Sequence, residues 1–438
     1  MGFLRITGHK LMNGKKALYD STVSFFEETT PKEAFKSNLA RELMLHLASI
    51  ASVRNATNMF NRIRRVKEGK MIETTFRNCV EREGLAIQQC MEKQAEEALE
   101  EQGLAIDDAK QVIWEDTGIS VSQEDFISDN TYIDAKTVHK AAKSLNLPKD
   151  SYNISDYELN GVNISSDEVG VKRQTECRPK DEEVNQPKTV QNAVIHVEMA
   201  NEVKDPNVKS SLSYILNNST VFGVFKLLLG FLCNHNLLRK TLVFYVDGAR
   251  NLNSTIASMF SFLKIKVILD WYHLQKKMAE VMSSICNNRH YRNDMLRGIM
   301  PVLWKGNVDE AIKILIAIDI TRVKNKDQLA YLLSYLERNR SIIPNYLLRE
   351  ALGLRNSSNR GEKSNDLIVA NRQKHNGMSW SDFGSTAFAS VSSVLHNKEC
   401  DNWITQGNLT FVMVEHLTPI RKKRTRRRSE VAYENKPA

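Results

Sequence analysis

Two short apolar runs constrain this chain more than any other feature. Residues 241–247 read Thr-Leu-Val-Phe-Tyr-Val-Asp and residues 265–270 read Ile-Lys-Val-Ile-Leu-Asp, so each run stops at a carboxylate. Stretches this rich in β-branched and aromatic residues belong in a buried sheet. The helical pattern over 253–263 separates them, and a strand–helix–strand order sets the two strands parallel. A third segment, 162–172, alternates apolar and polar residues and carries Asp167 in mid-strand. A fourth, 189–198, follows a polar connection and is expected to pair with the third as an antiparallel hairpin with a long loop. The expected fold class is therefore α/β with a mixed sheet. A carboxylate in or just beyond a buried strand is costly unless a cation compensates it, so Asp167 and Asp247 each demand a reason.

A third acid completes a pattern. Glu362 follows Ser357-Ser-Asn-Arg-Gly361 and opens a helical stretch, while Gly248 leaves the backbone beside Asp247 open to close approach. Two acids on neighbouring strands and one on a later helix form a cage for divalent metal. Carboxylates suit magnesium, a hard cation that keeps waters for a phosphate to replace. Phosphodiester chemistry with two ions needs such ligands to activate the attacking oxygen and stabilise the leaving one. The alternates are Asp270, which also ends a strand, and Asp366, one helical turn after Glu362. Asp247 is preferred because Trp271-Tyr-His273 after Asp270 reads as packing plus a hydrogen-bonding partner, with His273 a satisfied structural histidine in preference to a contact to DNA phosphate or a scissile-site water. Glu168 falls on the opposite sheet face by strand alternation. Arg355, Arg360, Lys363, Arg372 and Lys374 surround the third acid and would neutralise phosphate, whereas Trp380 reads as core.

The chain has 438 residues, enough for two or three domains, and a formal charge of +9 that favours a polyanionic partner. The most apolar stretch, 221–238, is interrupted by Lys226, Asn234 and His235 and reads as a core helix instead of a membrane span. With no apolar signal region at the amino terminus, the expected location is cytoplasmic. The six cysteines lack metal-ligand or disulfide spacing.

Residues 1–150 read as a helical region after an unpatterned lead-in of about 30 residues. Thr30 and Pro31 suit a helix start, and 40–51 and 51–65 have helical spacing. A break at Gly69-Lys70 and a helix over 74–84 ending at Gly84 complete a helix-turn-helix-like unit. There Thr74, Thr75, Arg77 and Asn78 would read bases, and Arg62, Arg64, Arg65 and Lys67 would meet phosphates. Residues 84–101 are expected to be a spacer or oligomerisation arm. Residues 108–147 are expected to hold a second helix pair, with Lys136, His139, Lys140 and Lys143 on one basic face after an Asp134 cap. A boundary is placed at 148–153. Residues 274–352 read as all-helical, with breaks at Trp304-Lys-Gly-Asn and Ile343-Pro-Asn. The last strand-like segment is 409–414, and the cation run 421–428, with Arg421, Arg424 and Arg426, would bind DNA by counterion release without sequence choice.

These blocks together resemble the DDE transposases of the ribonuclease-H-like superfamily, and more closely a bacterial insertion-sequence transposase. The resemblance is carried by Ser166-Asp167-Glu-Val-Gly-Val-Lys-Arg, Val246-Asp247-Gly-Ala-Arg250, Leu269-Asp270-Trp-Tyr-His273, and Ser357 to Asn359 with Glu362-Lys-Ser-Asn, over residues 155–405. It implies a ribonuclease-H-like core with a mixed five-stranded sheet and flanking helices, split into 155–273 and 353–405. An all-α insertion at 274–352, as in hAT and Mutator-like relatives, would divide it, and a basic tail, 406–438, would follow. It implies catalytic and metal roles for Asp167, Asp247 and Glu362, and two Mg²⁺ or Mn²⁺ ions. The implied substrates are double-stranded DNA of terminal repeats and target, cut and joined by a homo-oligomer on paired ends in a bacterial, nucleoid-associated setting. The rival functions are a non-catalytic DNA-binding regulator derived from such a fold and a structure-selective nuclease.

Overall fold

The computed structural model describes residues 37–65, 70–126, 131–159, 161–174, 187–201, 207–248, 252–374 and 378–419, with the backbone alone of 10–13, 16–20, 250 and 251. Strands β1 (Lys10–Asn13) and β2 (Lys16–Asp20) pair antiparallel where a lead-in without pattern was expected. The helix start expected at Thr30-Pro31 lies outside the described residues. Helix α1 (Asn38–Ile50) begins at Ser37, whose side chain accepts from the Ala40 N–H. Helix α2 (Val53–Arg64) is capped in the same way by Ser52 and ends at Arg65 in the left-handed region.

The next helix corrects the expected stop at Gly84, because α3 (Glu73–Glu101) runs straight through it. Strands β3 (Leu104–Ile106) and β4 (Val112–Trp114) then form a small antiparallel hairpin, and α4 (Ala135–Ser144) follows with its Asp134 cap. The second helix pair expected over 108–147 is thus a hairpin tail plus one helix. Val112-Ile113-Trp114 is β-branched and aromatic, and three residues are too few for helical spacing to tell from strand spacing.

The main sheet is built from β5 (Val162–Lys172), β6 (Thr189–Asn201), β7 (Val208–Asn218), β8 (Leu242–Val246), β9 (Ile265–Leu269) and β10 (Val414–Pro419). Its order is β10-β7-β6-β5-β8-β9. Each neighbouring pair in β10-β7-β6-β5 is antiparallel, while β8 and β9 continue parallel to β5. The sheet is mixed, as expected, but has six strands instead of five. The additional edge strand comes from residues assigned to the tail. Its side chains beyond Val414 are exposed, so it lacks the apolar alternation that marks the buried strands.

Helices α5 (Val221–Asn234) and α6 (Arg250–Phe260) cover one face of the sheet. After β9 come α7 (Trp271–Ile285), α8 (Arg289–Trp304), α9 (Val308–Ile316), α10 (Lys326–Arg338) and α11 (Tyr346–Ala351), broken where the sequence predicted. They share a core with Val243, Tyr245, Ile268 and Leu269 of β8 and β9. Helix α12 (Asn359–Asn365) continues through a π turn, Asp366–Ala370, to Gln373; α13 (Asp382–His396) and α14 (Cys400–Gln406) follow.

Along α3 the neighbours change in order, and that explains why it is one long helix. A Cβ on Gly84 would stand 2.1 Å from the Ala387 carbonyl oxygen of α13, so the glycine serves helix–helix contact and not termination. One turn later Ser390 of α13 donates to Gln88 Oε1 at 2.9 Å. Asn218, at the end of β7, donates to Glu92 Oε1 at 3.0 Å. Ala95 packs against Gly230 of α5, and Glu96 pairs with Lys226 at 2.7 Å. Helix α3 therefore straps the end of the sheet, joining α13 to α5. The expected spacer, 84–101, is a buried structural element. The principal core cluster accordingly takes residues from both sides of the 148–153 linker, from Met44 to Phe411. Among the described residues no helix is long and apolar enough to cross a membrane.

Candidate active site

Strands β5 and β8 pair in register up to Ser165 opposite Tyr245. Asp167 and Asp247 each lie two residues beyond that last rung, which brings two carboxylates to the same end of adjacent parallel strands. Burial raises the Asp167 carboxyl above its ordinary range, and the charge on Asp247 raises it further; His273 and the Asn365 amide pull the other way. Asp167 accepts from the Glu168 N–H at 2.8 Å through Oδ1 and from Asn365 Nδ2 at 2.6 Å through Oδ2.

The third acid arrives on α12. A Cβ on Gly361 would meet the Ser165 side chain at 2.7 Å, so only glycine lets the helix lie this close to β5. Glu362 follows, and its Oε1 is 3.1 Å from His273 Nε2. The π turn begins just after Asn365, widening the helix where it passes the acids. His273 therefore links two acids, hydrogen-bonded to Glu362 and within electrostatic reach of Asp167. The sequence favoured a structural role for it over a contact to DNA phosphate or a scissile-site water.

Asp270 is fully buried and caps α7: Oδ1 accepts from the His273 N–H at 3.0 Å, and Oδ2 accepts from the Ser358 N–H. With both oxygens engaged by backbone, Asp270 staples the start of α7 to the segment that leads into α12. It positions His273 and Glu362 and is not placed as a ligand. Asp366, the alternate third acid, is exposed, and Asn365 takes the position facing Asp167. Glu168 is exposed as alternation predicts, yet its carboxyl is raised by partial burial and then by Asp247.

Beneath α12 lies a second polar layer. Glu198 of β6 pairs with Arg355, and with Arg360 at 3.4 Å; these cations hold its carboxyl below the usual range against the opposing effect of burial. Burial pushes the neighbouring His196 down to about 4. The Ser165 and Ser166 hydroxyls are buried without a hydrogen-bond partner.

Among the expected nucleic-acid contacts, Thr74, Thr75, Arg77 and Asn78 are exposed on the first turns of α3, and Lys136, His139, Lys140 and Lys143 are exposed on α4. Arg62 and Arg65 are exposed, and Arg64 lies over the Phe60 ring at 5.3 Å. Arg360 and Lys363 are exposed next to Glu362, and Lys374 is exposed at the far end of the same helical stretch. Arg372 is a correction: it is 2% exposed, donates to the Ala48 carbonyl at 2.6 Å and lies over the Trp380 and Phe388 rings, so it joins α1 to the core instead of meeting phosphate. Trp380 is core as expected, its indole N–H donating to the Gln373 carbonyl. Lys67, Arg421, Arg424 and Arg426 lie outside the described residues.

Sequence reasoning missed Asn365, the Asp270–Ser358 staple and the Glu198–Arg355–Arg360 cluster. Asn365 alone left a signal, three residues after Glu362 and so on the same helix face. No protein-family model matches this chain, and no curated protein matches it.

Among the described residues no group of three or more His, Cys, Asp or Glu side chains is drawn together closely enough to hold a metal ion. The donor chemistry nevertheless suits a hard cation. The charges on Asp167 and Asp247 oppose each other, and the partnerless Ser165 hydroxyl lies on the same face of β5 as Asp167. Glu362 is occupied by His273, a contact for which a cation would compete.

Proposed function

We propose that the chain is a DDE-type transposase with a ribonuclease-H-like core, binding element ends and cutting and joining DNA. What supports this reading is that Asp167 and Asp247 are electrostatically coupled across adjacent parallel strands, and that Asn365, bonded to Asp167, and His273, bonded to Glu362, link α12 to that pair. The strand order supports it as well. Three antiparallel strands, β7-β6-β5, followed by the parallel β8 and β9 give the mixed five-strand core expected of that superfamily, with β10 as an added edge.

Asp167, Asp247 and Glu362 would hold two Mg²⁺ or Mn²⁺ ions, which when bound supply an activated oxygen nucleophile and neutralise charge at the scissile phosphate. The chain's own contribution is orientation. Asn365 and the Glu168 N–H fix the Asp167 carboxylate, His273 holds Glu362, and Asp270 fixes the start of the helix that carries His273. Arg360 and Lys363 offer exposed cations to the DNA backbone next to Glu362, and Lys374 offers one at the far end of that helix.

The test is to sequence the DNA flanking the reading frame, where inverted repeats are expected, and to incubate the full chain with Mg²⁺ and a duplex made from those flanks. Nicked ends and strand-joined products are expected, and Asp167→Ala, Asp247→Ala and Glu362→Ala should each lose about 10³-fold or more of cleavage while still binding DNA. Cuts without joined products would make the protein a nuclease, and binding without cuts a regulator. Full activity in Asp167→Ala would overturn the assignment of that acid.

A further inference from the structure

We infer that Tyr335, on α10 of the all-helical segment, is a positioning residue for Asp247, its hydroxyl serving as the donor that orients that carboxylate. The inference rests on the reading of Asp167, Asp247 and Glu362 as one cation site. Asn365 already plays such a part for Asp167 at 2.6 Å, and His273 for Glu362 at 3.1 Å. Both of those supports come from elements other than the one that carries the acid they hold.

Tyr335 is 3% exposed, and its hydroxyl is buried without a hydrogen-bond partner. A buried hydroxyl left unanswered costs stability, and phenylalanine would fill the same space without that cost, so its retention calls for an acceptor. The hydroxyl lies against the turn that follows β8. Gly248 has φ +88 there, and a Cβ on it would stand 3.3 Å from the Tyr335 hydroxyl oxygen and 3.2 Å from Leu269 Cδ1. Gly248 directly follows Asp247, so the hydroxyl abuts the residue next to the carboxylate.

The ring is held where it stands. The Asn339 amide donates to the Tyr335 carbonyl at 2.8 Å, and the Arg338 guanidinium lies over the ring, 5.8 Å from its centroid. Tyr335 and Leu269 belong to the core that joins the all-helical segment to β8 and β9. Burial pushes the Tyr335 phenol up to about 12, with Tyr331 and then Asp247 adding to the effect and Arg338 opposing it. The phenol thus keeps the proton it would donate, and Asp247 is the carboxylate within its electrostatic reach. A glycine beside that carboxylate gives the turn the freedom to close on the hydroxyl. The helical segment is then part of the site and not merely an appendage to the sheet.

Tyr335→Phe removes the oxygen and keeps the ring, and the full chain is tested with and without metal. In metal-free urea unfolding, Tyr335→Phe, Asp247→Ala and the double variant should show coupling of about threefold or more in the unfolding equilibrium constant. In calorimetric Mg²⁺ titration, Tyr335→Phe should bind about tenfold or more weakly than the wild type, a change that a merely structural hydroxyl would not produce. Tyr331→Phe, at an exposed neighbouring ring, should match the wild type in both measurements. Additive unfolding effects, or wild-type Mg²⁺ affinity in Tyr335→Phe, would each overturn the inference. Coupling in a wild type that binds no Mg²⁺ would keep the Tyr335–Asp247 contact and overturn the cation-site reading instead.

Discussion

The two faces of the main sheet are made of different material. Toward α5 and α6 the packing is aromatic and dry, with Phe225, Phe244 and Phe260 in mutual ring contact and all fully buried. Toward α12 and α13 the same strands present Asp167, Asn192, His196, Glu198 and Asn217, and the Asn192, Asn217 and His196 side chains each have a buried polar atom without a partner. One face stabilises the fold, and the other holds polar groups at the expense of stability. A buried charge or unanswered donor persists where something other than folding requires it. The comparison thus points to the α12 face as the functional one without appeal to any relative.

Substitutions on the two faces should differ in sign. Phe225→Ala, on the apolar face, should destabilise by about 3–5 kcal/mol in urea unfolding, the cost of a large cavity in a closed core. A loss below about 1 kcal/mol would mean that this face is loosely packed. Gly84→Ala should cost about 1–3 kcal/mol, since its methyl meets a backbone carbonyl that cannot turn aside. A neutral result would show that α3 can shift on α13 and is a weaker strap than its contacts imply.

Asp167→Asn should act in the opposite direction, raising stability at neutral pH by about 1 kcal/mol. The Asp167 carboxyl is raised by burial first and by Asp247 second, so the folded state holds its proton more tightly than the unfolded chain does. Wild-type stability from this group is complete below the ordinary carboxylate value and is lost as pH rises through the raised folded value. The advantage of Asp167→Asn should therefore appear across that window and vanish in acid, as followed by thermal melts at several pH values. A uniform loss of stability at every pH would mean that the carboxylate's hydrogen bonds outweigh its burial.

Much of the sheet was legible because β8, β9 and the α6 pattern between them are short apolar runs with unambiguous periods. Strand β7 was not, since Lys209-Ser-Ser-Leu-Ser hides its buried half behind polar residues, and β10 was not, since an exposed edge strand needs no apolar alternation. Gly84 misled because a glycine demanded by a neighbouring helix looks the same in sequence as one that ends its own. The three acids stood out in the sequence as one carboxylate in mid-strand, one at a strand end and one at a helix start. Their supports did not, because Asn365, Asp270 and Ser358 acquire their roles only when α12 settles against β5 and α7.

The account rests on Asp167, Asp247 and Glu362 serving a common cation site, and Mg²⁺ titration of the folded protein tests this most directly. Calorimetry should detect Mg²⁺ binding and melts should rise with its concentration in the wild type, and Asp167→Asn, Asp247→Asn and Glu362→Gln should each lose most of both effects while remaining folded. Wild-type Mg²⁺ affinity retained in all three variants would contradict it.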